Sequence, residues 1–161
     1  MLWLRGVLFT LLVPCVVGGL IPYSLTDGHP RGGAWMLGWV VVACGSAIYL
    51  LCLLSFLAGG GTPAPFFTTP VKWILGEEPP KLVLSGLYRR SRNPMYVGVL
   101  TTILGQAIVF ASWRVAEFGA VAAVAFHLVV LLIEEPHLRR VRGAEYEEYC
   151  RQVPRWLGPF R

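Results

Sequence analysis

Between Lys81 and Gly98 the chain reads Lys-Leu-Val-Leu-Ser-Gly-Leu-Tyr-Arg-Arg-Ser-Arg-Asn-Pro-Met-Tyr-Val-Gly, a dense polar and turn-forming segment set between long apolar runs. Within it Arg92-Asn93-Pro94-x-Tyr96-x-Gly98 supplies a permanent cation, an amide, a turn and a phenol. Pro94 suits the first turn of a helix and Asn93 its cap, and the free N–H groups of a helix start can bind a carboxylate or another acceptor. A second polar cluster, Glu134-Glu135, closes the last apolar run. Two acids at a helix C-terminus oppose the macrodipole, so a compensating cation is expected, either a ligand or Arg92 from across a bundle. Two such clusters at one membrane face could hold a small polar molecule between them, which makes Arg92 and Glu134 the candidate catalytic residues. His127, seven residues before Glu134 and so nearly on its helical face, and Gln106, inside an apolar run, are candidates for touching a substrate. Polar side chains at membrane depth point into the protein or a cavity. Each of these residues also has a purely structural reading: a capped helix with interface-anchoring Arg and Tyr, or hydrogen bonds between helices.

The elements that must position these residues belong to a membrane. At 161 residues, 55% hydrophobic, 14% charged and with a mean hydropathy of +0.60, the chain is too apolar for a soluble domain and too short for several. Residues 1–161 are therefore expected to form one membrane-embedded domain. Four stretches are long enough, at about 1.5 Å rise per residue, to cross about 30 Å of hydrocarbon: Leu2 to Pro22, Ala34 to Ala58, Met95 to Ser112 and Val115 to Ile133. Unpaired backbone groups are costly in lipid, so these should be helices, giving an all-α integral membrane fold. Pro14 is a candidate kink in the first. That first stretch lacks a small-x-small cleavage pattern and is read as a retained span rather than a leader.

Four spans put the N-terminus, the Gly59 to Pro94 loop and the C-terminal tail on one side. That side then carries Arg5, Lys72, Lys81, Arg89, Arg90, Arg92, Arg139, Arg140, Arg142, Arg151, Arg155 and Arg161, against Arg31 and Arg114 opposite. By the positive-inside rule both termini and both polar clusters are expected to face the cytoplasm of a bacterial inner membrane. The formal charge of +5 is then explained by topology and anionic membrane lipids, with no nucleic-acid partner. Cys15, Cys44 and Cys52 sit in apolar runs and Cys150 in the tail, without metal or redox spacing, so no metal is expected. Phe66, Phe67 and Trp73 suggest that the Gly- and Pro-rich loop folds back along the interface. Beyond Pro136, the residues Leu138, Val141, Tyr146, Tyr149, Cys150 and Val153 recur at helical steps among charges, which predicts an amphipathic cytoplasmic helix bent at Gly143.

In order along the chain, Lys81-Leu82-Val83-x-Ser85-Gly86-x-Tyr88, Arg92-x-Pro94-x-Tyr96-x-Gly98, Glu134-Glu135, and Gly143-x-Glu145-Tyr146-x-x-Tyr149 with Val153-Pro154 resemble the isoprenylcysteine carboxyl methyltransferase family and its phospholipid methyltransferase relatives. The match covers residues 59–154 and is of the short, bacterial type. The resemblance implies a cytoplasm-facing pocket for S-adenosylmethionine, lined by Lys81, Leu82, Val83 and Tyr88, contacted by Asn93, Pro94, Met95 and Tyr96, with Glu134 binding the cationic methionyl end. The acceptor it implies is a lipophilic small molecule or lipidated substrate. Two positions depart from the family's pattern: Asn93 stands where His is common, and Val130 where the eukaryotic prenylcysteine enzymes have an Arg assigned to substrate.

A carboxylate acceptor is ionised at neutral pH and needs no general base. An amine or thiol must lose a proton, for which His127, His137, Tyr96 and Glu135 are the candidates. The resulting expectation is carboxyl O-methylation. N- or S-methylation of a phospholipid amine or small thiol is the alternative within enzymes. A non-catalytic membrane scaffold and a nicotinamide-dependent reductase are the alternatives beyond it, the latter lacking any Gly-x-Gly-x-x-Gly.

Overall fold

The computed structural model describes residues 2–12, 14–26, 29, 33–63 and 79–157. The proposed interface loop, with Phe66, Phe67 and Trp73, lies outside them. The first apolar run forms α1 (Leu2–Leu12), a π turn over Val16–Leu20 and the short α2 (Ile21–Ser24). Then come α3 (Trp35–Ala58), a 3₁₀ turn at Gly86–Arg89, α4 (Pro94–Val109), α5 (Trp113–Val129), a second π turn over Val130–Glu134, α6 (Glu135–Arg142) and α7 (Ala144–Gln152). Every regular element among the described residues is helical, as lipid demands of a chain that must satisfy its backbone internally.

Among the described residues three runs are long and apolar enough to cross a membrane: Trp3–Ser24, Trp35–Ala58 and Trp113–Arg142. The remaining apolar helix differs from expectation. It ends at Val109, and its 16 residues give about 24 Å, short of a full crossing. The turn that stops it is tight: Ala111 takes a φ of 46°, and Ser112 caps the next helix by accepting from the Val115 N–H. Outward faces such as Val121, Val124, Leu128 and Leu132 are exposed and apolar at helical spacing, a face suited to lipid.

Helix α4 is the centre of the bundle, and it runs antiparallel to α3 at backbone contact. A Cβ on Gly38 would lie 2.6 Å from the Val109 nitrogen, and one on Gly45 would lie 2.6 Å from the Thr102 nitrogen. In return, a Cβ on Gly98 would meet the Gly45 oxygen at 2.9 Å, and one on Gly105 the Gly38 oxygen at 2.9 Å. Small residues spaced two turns apart on both helices let the backbones approach, the packing that membrane helices use in place of hydrophobic burial. Around this seam Tyr49, Leu53, Leu57, Val99, Ile103, Ala107, Val115 and Ala122 form the core.

Both π turns end two residues before a proline, Pro22 and Pro136. Proline lacks an N–H and its ring crowds the carbonyl four residues back. The wide turn adapts to this: Ile21 bonds to the Val16 oxygen and Glu135 to the Val130 oxygen, five residues back. This corrects the expectation that Glu134 and Glu135 close a helix. The run continues through them to Arg142, so they face no C-terminal dipole. It then breaks at Gly143, whose φ of 52° and ψ of −125° suit glycine alone, and α7 folds back.

Candidate active site

Where α4 begins and the Trp113–Arg142 run passes it, the helices open into a cavity of about 220 Å³. One part of its wall is apolar and comes from the spans, Phe9, Val17 and Tyr49 facing Val99, Phe126 and Val130. The other part is polar and comes from the Pro79–Asn93 segment, the second π turn and the two terminal helices, with Lys81, Arg92, Glu134, His137, Arg142 and Tyr146. Of the expected cofactor residues, Lys81, Leu82, Val83, Tyr88, Asn93, Met95, Tyr96 and Glu134 all line this cavity, as does Arg92. Pro94 is buried at the first position of α4 and does not line it.

The π turn gives the adjacent glutamates different surroundings. Glu134 lines the cavity and accepts a hydrogen bond of 2.5 Å from the Tyr96 hydroxyl, whose ring lies 4.7 Å from that of Phe126. Glu135, with a side chain only 5% exposed, gathers cations. Arg155 grips it in fork fashion, Nε to Oε1 at 2.6 Å and Nη2 to Oε2 at 3.0 Å, while Arg92 Nη1 stands 3.1 Å from Oε1 and Arg139 Nη2 4.0 Å from Oε2. Bonding to Glu135 raises the pKa of Arg155 above its ordinary value. The same Arg92 nitrogen reaches the Cys150 sulfur at 2.7 Å and the Tyr146 hydroxyl at 3.4 Å. The compensating cation expected for the acid pair is thus found on Glu135.

The tail after α7 stitches this end together. Arg92 N–H donates to the Pro154 oxygen at 2.9 Å, and the Asn93 amide donates to the Arg155 oxygen at 3.0 Å. Asn93 therefore occupies the cap position of α4 without capping it; its side chain holds the tail instead. The Tyr149 hydroxyl donates to the Tyr88 oxygen at 2.7 Å, and the Tyr88 ring sits edge-on to Phe56, 5.5 Å between centroids. Burial raises the pKa of Tyr88, Tyr146 and Tyr149 above that of an ordinary phenol, so all three stay protonated at neutral pH. Arg142 spans from α6 to the segment opposite, donating to the Pro80 oxygen at 2.6 Å and the Pro79 oxygen at 2.7 Å.

Two candidates lie elsewhere. The Gln106 amide donates to the Gly18 oxygen at 2.5 Å, at a separate groove lined by Trp39 and Phe110. There it satisfies a carbonyl of the first π turn. His127 Nδ1 accepts from the Trp156 indole at 3.1 Å, so it faces the tail. Conversely, the sequence reading assigned no role to Arg142, to Arg155 beyond its charge, or to Phe9 and Val17 of the first span. Only the Pro154-Arg155 pairing left a trace in sequence, as the Val-Pro end of the last motif. The described residues contain no group of three or more His, Cys, Asp or Glu placed to hold a metal.

Comparison with known proteins identifies the family. The phospholipid methyltransferase family profile matches residues 34–145, thus including α3, which the sequence motifs had left as a generic span. The chain belongs to this family. It is 34% identical over 88 residues to protein-S-isoprenylcysteine O-methyltransferase B of Arabidopsis thaliana, covering 55% of this chain and 44% of that protein. It is 31% identical over 131 residues to a probable protein-S-isoprenylcysteine O-methyltransferase of Oryza sativa subsp. indica, covering 77% of this chain and 60% of that protein. The chain thus spans about half the length of these relatives. No solved structure matches.

Proposed function

From membership of a methyltransferase family and the convergence of the motif residues on one cavity, we propose that the chain is an S-adenosylmethionine-dependent methyltransferase. It acts at the cytoplasmic membrane face on the carboxyl group of a lipophilic, isoprenylcysteine-like acceptor. The observation that carries this is the two-part cavity, with a carboxylate and phenol at the mouth of α4 and an apolar wall from the spans. The residues present suit the cofactor. Glu134 would hold its cationic methionyl end, a carboxylate being the natural partner of an ammonium or sulfonium at a site shielded from water. Leu82, Val83 and Met95 offer apolar contact, and Tyr88 and Tyr96 flat ring faces.

When bound, S-adenosylmethionine supplies a methyl group on a sulfonium. The chain's part is then mainly positioning, with the acceptor oxygen in line and about 3–3.5 Å from the methyl carbon. Tyr96 fixes the Glu134 carboxylate by its hydrogen bond. Phe9, Val17 and Val130 offer the acceptor's hydrocarbon a wall within the bilayer and keep water from the reacting oxygen. Arg92, held on Glu135, is the cation that orients the acceptor carboxylate. A second reading is N-methylation of a phospholipid amine, favoured by the family profile. There the Tyr96 and Glu134 pair would have to take the acceptor's proton.

Calorimetric titration of the detergent-solubilised chain with S-adenosylhomocysteine tests the reading. The wild type and Glu117→Gln, an exposed position on α5, should bind alike, and Glu134→Gln at least about tenfold more weakly, a difference of about 1.4 kcal/mol. Equal affinity in all three removes Glu134 from the site. Labelled methyl donor added to membranes separates the readings by whether the new bond is a base-labile ester or a stable amine.

A further inference from the structure

Among the described residues two buried side-chain nitrogens have no hydrogen-bond partner, Arg92 Nε and Arg142 Nε, and both arginines line the same cavity. Buried N–H groups are nearly always paired, and two left over at one cavity call for an acceptor that the chain itself does not supply, a ligand or an ordered water. The two guanidinium groups are otherwise differently engaged. Arg92, whose side chain is 10% exposed, stands 3.1 Å from Glu135, a carboxylate it shares with Arg155 and Arg139. Arg142 spends both terminal nitrogens on the neutral carbonyls of Pro79 and Pro80, and no carboxylate among the described residues pairs with it. Among the described residues Arg142 therefore meets only neutral acceptors, in a cavity that Lys81 and the carboxylate of Glu134 also line.

We propose that Arg142, in addition to the Arg92 assigned above to the acceptor, is a carboxylate-binding residue of this cavity. The Nε–H of Arg142 receives a ligand oxygen, while its two terminal nitrogens keep the Pro79–Pro80 segment closed over the site. A carboxylate suits the two unpaired donors, since it brings negative charge and several acceptor lone pairs to guanidinium N–H groups. The inference deepens the methyltransferase reading and rests on it. Two ligands of such a site carry the required group: the methyl donor, through its methionyl carboxylate, and the acceptor, through the carboxylate to be methylated.

Titration calorimetry on the full chain, wild type against Arg142→Gln and Arg142→Lys, separates these sources. The probes are S-adenosylhomocysteine, 5′-methylthioadenosine, which lacks the amino-acid part, N-acetyl-S-farnesylcysteine and its carboxamide. Both variants should bind one of the two carboxylate ligands at least about tenfold more weakly, lysine failing because it has no Nε–H donor in a planar fork. The matching neutral probe should change less than about twofold. Loss confined to S-adenosylhomocysteine assigns the site to the donor, and loss confined to the farnesylcysteine acid assigns it to the acceptor. Unchanged affinity for all four probes, or an equal fall in all four, overturns the proposal; the second result would mean that Arg142 only fastens the segment. A wild type that prefers the acid to the amide yet ignores S-adenosylhomocysteine leaves the anion site standing and removes the methyltransferase reading.

Discussion

The α3–α4 seam and the polar end beside it hold helices together by opposite means. At the seam Gly38, Gly45, Gly98 and Gly105 contribute nothing but the absence of a side chain, and two backbones lie against each other. At the polar end Glu135 works through what it carries, collecting Arg92, Arg155 and Arg139 from three parts of the chain. The first kind of contact has no slack, because nothing flexible lies between the backbones. The second can be rebuilt, because the pairing and not the volume is what matters. The seam sets where α4 stands, and the polar end decides how the cavity above it closes.

The sharpest way to break this contrast is to add atoms at the seam. Gly45→Leu places a Cβ 2.6 Å from the Thr102 nitrogen and should destabilise the protein by about 3 kcal/mol or more, seen as loss of the cooperative melting transition in detergent. A midpoint within about 2 °C of wild type would mean that the helices can part at little cost. Next in size, Glu135→Ala leaves Arg92 buried without its counter-charge and should cost about 3 kcal/mol. The double change Arg92→Met with Glu135→Leu should recover a good part of that loss. No such rescue exists for Gly45, and a double variant no better than the single one would erase the distinction.

At Gly143 the two principles separate cleanly, since its backbone has a positive φ yet open space around the missing Cβ. Gly143→Ala should therefore cost only the conformational strain, about 1–2 kcal/mol in the same melting assay. The smallest effect is expected at the exposed pair of Glu148 and Arg151, joined at 2.5 Å. Glu148→Gln should leave the midpoint unchanged, because an exposed ion pair gains little over water. A clear fall there would show that α7 depends on its surface charges as the cavity end depends on its buried ones.

The membrane class, the placement of the apolar runs and the bend at Gly143 were legible in the sequence because hydropathy and a lone glycine act locally. The family resemblance grouped Lys81 to Tyr96 with Glu134, and residues from both stretches line one cavity. The glycine seam was not read, since Gly38, Gly45, Gly98 and Gly105 carry no signal until two helices are set side by side. Nor was the unlike placement of Glu134 and Glu135, which depends on how the backbone adapts to Pro136. Arg142 was passed over as one more topological charge, because its partners are backbone carbonyls more than sixty positions away. Gln106 and His127 looked alike as polar residues at depth, and only packing reveals that one meets the first span and the other the tail.

The wide turn at Val130–Glu134 has a consequence for how this site can change. It holds one residue more than a regular helical ladder, and each residue advances a helix by about 100°. In a regular helix an added residue would turn everything beyond it by that angle; the wide turn takes up the addition locally, so α6 keeps its face while the acid beside Tyr96 sits within the turn itself. Deleting one of Val130 to Ile133 would therefore take the partner away from Tyr96 and leave the helix beyond largely in place. Length variation at this point thus acts on the site and spares the scaffold around it.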